Sequence, residues 1–233
     1  MVRRMCGRIT QKKGELPGFA TITLVETLFP PRHNGTPSQD FWIIRRHPET
    51  GEYRRDRLTW GFVSSWGSSK DRPINARAEG IRDRTLFKSA YARRRCLVPI
   101  DNFFEWRAIK GQKAKQPYAI AMRDGQPFAV GGIWESRTDK ETGTISRSFA
   151  IITTEANELV SEIHDRMPVI IAPVDYERWL STLDPDPRDL LVPYPSEPMA
   201  IWPISAKVNS PRNDTPDITD PVVISDDERS EAG

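Results

Sequence analysis

Cys6 directly follows a methionine, in the run Met5-Cys6-Gly7-Arg8. If that methionine is removed, the cysteine carries two nucleophiles on neighbouring carbons, an α-amine and a thiol. Free α-amines have pKa values of about 7.7–8.0 and free thiols about 8.5, so both are partly reactive near neutrality. An interior cysteine offers the thiol alone. Met1-Val2-Arg3-Arg4-Met5 precedes Cys6, and residues 1–5 are read as a leader, or as sequence up to a true start at Met5.

Three other positions have the chemistry to assist. Glu105 lies in Phe103-Phe104-Glu105-Trp106. On a strand it shares a face with Phe103 and Arg107, opposite Phe104 and Trp106. Apolar surroundings disfavour the charged form of a carboxylate, which suits a proton shuttle near neutrality. The alternative is a glutamate on the solvent face of a strand. His164, one of three histidines, stands in the polar turn Ile163-His164-Asp165-Arg166 ahead of an apolar run. It reads either as a general acid or base or as a histidine satisfied by turn hydrogen bonds. Asn75 and Arg77, in Pro73-Ile74-Asn75-Ala76-Arg77-Ala78-Glu79, can orient a small polar group and pin a phosphate. Their ordinary alternative is a helix cap beside a surface arginine. Trp60, Phe62 and Trp66 adjoin a basic segment and read either as base-stacking rings or as core. Cys96 opens an apolar strand and is expected in the core. Two distant cysteines and histidines at 33, 47 and 164 offer no pair at zinc spacing.

Positioning these groups falls to many short strands and few helices. Apolar, β-branched runs bounded by Pro, Gly or Asp occur at Thr21–Leu28, Phe41–Arg45, Tyr53–Val63, Cys96–Ile100, Pro117–Met122, Phe128–Glu135, Ser148–Thr154, Met167–Ala172 and Met199–Ile204. Helical patterns are limited to Ile81–Arg93, Ala156–Ile163 and Val174–Leu180. The expectation is an α+β fold: an antiparallel β core with short peripheral helices, in one domain over residues 6–212. No apolar stretch approaches the ~20 residues of a membrane span. Two cysteines form no disulfide framework, so a reducing cytoplasm is the expected compartment. The net charge of +2 conceals an asymmetry. Residues 213–233 hold seven acidic groups against Arg229 and are read as an acidic disordered tail, while the rest has 33 basic and 25 acidic residues. A basic body favours polyanionic partners such as nucleic acid, although charge alone describes a solvated surface equally well.

Six motifs taken together resemble the SOS-response-associated peptidase (SRAP) family. They are Cys6-Gly7-Arg8, Trp60-Gly61-Phe62, Asn75-Ala76-Arg77-Ala78-Glu79, Phe104-Glu105-Trp106, His164-Asp165-Arg166-Met167-Pro168 and Ser205-Ala206-Lys207-Val208-Asn209. The resemblance implies a β-barrel-like core and a DNA groove. It implies covalent capture of abasic sites in single-stranded DNA by N-terminal Cys6, without metal or organic cofactor. By position it makes Asn75 the residue that orients the α-amine, Glu105 the proton shuttle and His164 the assistant in sugar opening. It makes Arg8, Arg77 and Arg84 phosphate contacts and Trp66 a ring that wedges or stacks at the lesion. A monomer associated with the nucleoid, meeting replication or repair proteins, is the matching expectation. Two rivals remain at this point: a cysteine peptidase using Cys6 and His164 and acting on its own N-terminal leader, and a non-covalent single-stranded or modified-DNA binding module.

Overall fold

The computed structural model describes residues 7–19, 29–65, 72–109, 111, 113–184 and 186–224. Cys6, Trp66, the run Thr21–Leu28 and the last nine residues lie outside them. The chain opens with β1 (Ile9–Gln11), β2 (Arg32–Gly35), β3 (Asp40–Arg46), β4 (Tyr53–Trp60) and β5 (Asn75–Arg77). Helix α1 (Lys88–Arg93) leads into β6 (Arg95–Ile100), β7 (Asn102–Ala108), β8 (Lys115–Met122), β9 (Phe128–Thr138) and β10 (Ile145–Glu155). After α2 (Glu158–Ser161) come β11 (Arg166–Pro168), β12 (Ile170–Ile171), α3 (Tyr176–Leu180) and β13 (Met199–Pro203).

Five strands close on themselves. β3 pairs with β4 and β6, β6 with β9, β9 with β10, and β10 returns to β4. This is the β-barrel-like core that the family resemblance implies, and closure removes its exposed edges. It is mostly antiparallel; β10, however, runs parallel to β4 and to the short β5, pairings that an all-antiparallel core would lack. A second sheet, in the order β13-β8-β7-β1-β2, packs beside it. Phe41, Ile43, Trp60, Phe103, Ile120, Phe149 and Ile151 fill the shared interior.

A second core lies under α1 and α3, where Ile44, Phe62, Phe87, Tyr91, Leu97 and Trp179 meet. Arg95 anchors it. Its buried guanidinium donates to the carbonyls of Tyr91 at 2.8 Å, Trp179 at 2.6 Å and Asp184 at 2.6 Å, capping the C-terminal turns of both helices. Cys96 is fully buried and burial pushes its thiol pKa up, so it packs as the sequence suggests. A Cβ on Gly132 would sit 2.9 Å from its sulfur, which reserves that position for glycine.

Two expectations are corrected. The helix predicted over Ile81–Arg93 forms only at Lys88–Arg93. Its first half is a succession of turns built on Gly80 and Arg84 carbonyls, and these bury Ile81 and Phe87 as well as a helix would. The acidic tail does not begin at Asn213. Residues 213–224 pack on the protein, with Ile218 buried against Phe104 and Val208 and Asp214 Oδ1 accepting the amides of His33 at 2.6 Å and Asn34 at 2.7 Å. Among the described residues no helix is long and apolar enough to cross a membrane.

Candidate functional site

The two sheets meet at the N-terminal strand. Ile9 pairs with Phe103, and the Phe104 amide donates to Arg8 O at 3.1 Å. Antiparallel register therefore brings Gly7 level with Glu105. From the barrel side Gly7 faces Ile74, whose Cδ1 lies 3.6 Å from where a Gly7 Cβ would be. The Pro73–Asn75 segment is held by Trp60 Nε1 donating to Ile74 O at 2.9 Å, the Phe62 amide donating to Pro73 O at 2.9 Å and the Ile151 amide donating to Ile74 O at 3.0 Å. Gly61 has φ 135°, a conformation open to glycine. That turn sends Trp60 into the barrel interior and Phe62 into the second core. Both rings are fully buried, so they brace the site and are not stacking platforms.

Glu105 is 3 % exposed. This excludes the reading of a glutamate on the solvent face of β7. Phe103 beside it belongs to the shared interior and Phe104 to a third cluster under the C-terminal segment; Tyr118 stands directly across on β8. Asn75 opens β5 and pairs with Ile151, which replaces the helix-cap alternative with a strand position. His164 follows α2, whose Val160 enters the same interior as Ile9 and Phe103, with Leu159 and Ile74 packed against it. Four elements thus converge on one core: the strand after Cys6, the entry to β5, β7 and α2.

The His164 Nδ1 accepts the Arg166 amide at 3.1 Å and lies 3.0 Å from Asp165 Oδ1. The amide donates to Nδ1 while the Asp165 carboxylate lies against the same nitrogen, so the two contacts favour opposite protonation states of Nδ1. Arg166 ties this turn to the Asn75 segment. Its guanidinium donates to Glu79 Oε1 at 2.5 Å, Glu79 Oε2 at 2.8 Å and Thr153 O at 2.7 Å. Those hydrogen bonds hold the Glu79 carboxyl below its usual range. The stability Glu79 contributes is accordingly present above the ordinary carboxylate pKa of about 4.3 and is lost as pH falls through the depressed value. With a half-exposed carboxylate, Glu79→Gln is expected to cost at most about 1 kcal/mol at pH 7. Urea midpoints should show the gap from wild type narrowing below about pH 4; a gap of constant size would contradict it.

A residue missed at the sequence level organises the other side. Asn34, 1 % exposed, accepts Arg8 Nη1 at 2.6 Å. Its amide nitrogen donates to Val208 O at 3.2 Å, Ser210 O at 3.0 Å and Asn213 O at 2.8 Å. Arg8 Nη1 also reaches Val208 O at 2.6 Å, and the guanidinium lies 5.8 Å from the Trp106 ring centre. Trp106 Nε1 in turn donates to Asn209 Oδ1 at 2.7 Å. The Ser205–Asn209 motif therefore clamps Arg8, two residues from Cys6. Arg8 is first a brace: one end of its guanidinium is committed inward, and burial lowers its pKa. The available signal for Asn34 was a lone amide in Arg32-His33-Asn34-Gly35, and no local pattern reveals partners more than 170 residues away.

Arg77 and Arg84 are exposed; neither forms an ion pair with a described residue. Cys6 and Trp66 lie outside the described residues. Among those described, no three His, Cys, Asp or Glu side chains are placed to hold a metal ion. A cleft of about 380 Å³ lined by Met122, Phe128, Ile170, Tyr176 and Tyr194 shares no residue with this site; burial there raises the Tyr176 phenol to about 12.

The chain is similar to known proteins over most of its length. The family model described as SOS response associated peptidase (SRAP) matches residues 5–211. The abasic site processing protein YoqW of Bacillus subtilis is 34% identical over 225 residues, covering 92% of this chain and 98% of the relative. The abasic site processing protein HMCES of Gallus gallus is 28% identical over 257 residues, covering 96% and 75%. A crystal structure of a Bacteroides thetaiotaomicron protein superposes with a TM-score of 0.75 at 27% identity, covering 84% of this chain and 88% of that one. The chain belongs to the SRAP family.

Proposed function

We propose that this protein processes abasic sites in single-stranded DNA, capturing the lesion covalently through Cys6 as a DNA–protein crosslink. The reading is supported by relatives whose names describe abasic site processing. The observation that carries it is the convergence of the strand after Cys6 with buried Glu105, the Asn75 segment and the His164-bearing turn on one core. The reaction needs Cys6 as residue one, reached by translation from Met5 and removal of that methionine, or by cleavage before Cys6.

The open form of an abasic sugar exposes an aldehyde. The Cys6 α-amine adds to it, and the resulting carbinolamine loses water to give an imine. The thiol sulfur then bonds to the imine carbon while its proton passes to the nitrogen. Nitrogen, Cα, Cβ, sulfur and the former aldehyde carbon close a five-membered thiazolidine. In this scheme Asn75 orients the amine, and Glu105 delivers the proton that expels water and relays the one from sulfur. His164 opens the sugar ring. Arg77, Arg84 and the outer edge of Arg8 hold phosphates while Trp66 stacks at the lesion. Such contacts position the strand without reading its sequence.

The test incubates protein initiated at Met5 with single-stranded DNA bearing one abasic site, and checks by intact mass that Cys6 is the first residue. A heat-stable shifted band is expected; its absence at low salt, with a confirmed N-terminal cysteine, would sink the proposal. In the same assay Glu105→Gln, which keeps the shape and removes the titrating group, should slow band formation about 10²–10⁴-fold.

A further inference from the structure

On β7 the face that carries Phe103 and Glu105 continues to Arg107. Phe103 is fully buried, Glu105 nearly so and Arg107 half-buried, so the row climbs from the core to solvent. Buried or half-buried arginines elsewhere are engaged: Arg8, Arg45, Arg94, Arg95 and Arg166 each donate to a carboxylate or a carbonyl. Arg107 makes no hydrogen bond or ion pair with a described residue. Directly opposite, Gln116 turns its amide nitrogen to Ile204 O at 2.9 Å and Pro117 O at 2.8 Å. From Trp106 to Lys115 the sequence holds four cations, Arg107, Lys110, Lys113 and Lys115, and no acid. Arg77 projects from the barrel on β5, across the line where Gly7 meets Ile74.

We infer that Arg107 is a phosphate-binding residue on the second sheet, holding the DNA backbone on the side of Glu105 opposite Arg77. This rests on the single-stranded DNA reading above. A half-buried arginine commonly covers its apolar stem and keeps its charged head in water, so the fork can meet a phosphate bidentately at little desolvation cost. Two cations from two sheets would then straddle the reacting centre and fix the sugar between them, a role that needs no sequence preference.

The test measures non-covalent binding of Cys6→Ala protein to abasic single-stranded DNA by fluorescence anisotropy between 50 and 200 mM salt, with and without Arg107→Gln. A single lost phosphate contact on a single strand should reduce the magnitude of the log–log salt slope by about 0.7 and weaken binding equally for different flanking sequences. Arg107→Lys should restore most of the slope. In protein retaining Cys6, Arg107→Gln should raise the DNA concentration needed for half-maximal crosslinking, and Arg107→Lys should lower it again. An unaltered slope and affinity would overturn the inference while leaving the crosslinking proposal intact. A wild-type protein that binds with an Arg107-dependent slope but forms no crosslink would overturn only the covalent reading. Absence of binding in every variant would overturn both.

Discussion

Cys6→Ala is expected to abolish the heat-stable crosslink while leaving non-covalent DNA affinity unchanged. Alanine keeps the α-amine, so the imine still forms, but nothing closes the ring and the imine hydrolyses on heating. Adding a borohydride reductant should therefore recover a trapped product from the alanine variant, by reducing the carbon–nitrogen double bond. Cys6→Ser should give an intermediate result, because a hydroxyl is a far weaker nucleophile than a thiol near neutrality. Gel shifts after heating, with and without reductant, separate the cases. An undiminished heat-stable band from Cys6→Ala would exclude the thiazolidine, whereas DNA binding with no heat-stable band from any variant would leave the non-covalent binding module. A peptide acyl-enzyme on Cys6 would instead favour the peptidase rival.

Asn34→Ala is expected to destabilise the fold by about 2–3 kcal/mol, since it deletes a buried side chain that accepts from Arg8 and donates to three carbonyls. The side chain is 1 % exposed and joins Arg8 to Val208, Ser210 and Asn213. No single neighbour can replace both its oxygen and its nitrogen. Asn34→Asp should fare little better: it keeps an acceptor for Arg8 but loses both donors and sets a second carboxylate beside Asp214. Urea denaturation gives the stability difference. A cost under about 1 kcal/mol would show that water or a rearranged Arg8 satisfies these groups. Surviving Asn34→Ala protein should also crosslink more slowly, because the strand leading to Cys6 loses its lateral support.

The strands of the barrel were legible because they are long enough to carry their own signal, while their closure came only from the resemblance. Phe41–Arg45, Cys96–Ile100 and Ser148–Thr154 are apolar runs that match β3, β6 and β10 closely. β1, β2, β5 and β11 are three or four residues long and take their identity from partners distant in sequence, which no local pattern reveals. Ile81–Arg93 failed for a related reason. Spacing reports which side chains are buried, and turns around Gly80 and Arg84 bury the same ones. Acidic composition concealed Asp214, where one carboxylate receiving two amides of β2 outweighs the charge around it. At the site, the rings around Glu105 pointed correctly to its burial. Trp60 and Phe62 carried an equally aromatic signal and proved to be core.

The Arg8–Val208 contact joins residues 200 apart in sequence, and this orders events during synthesis. At about 5–20 residues per second, the partner that fixes the N-terminal strand emerges roughly 10–40 s after Arg8. The parallel joint between β4 and β10 has the same character, since Thr59 must wait for Ser148. For most of its time on the ribosome the N-terminal strand therefore lacks the Val208 carbonyl that ties Arg8 down, although β2 and β7 are made earlier. The tie that fixes the N-terminal strand is thus among the last contacts the growing chain can make.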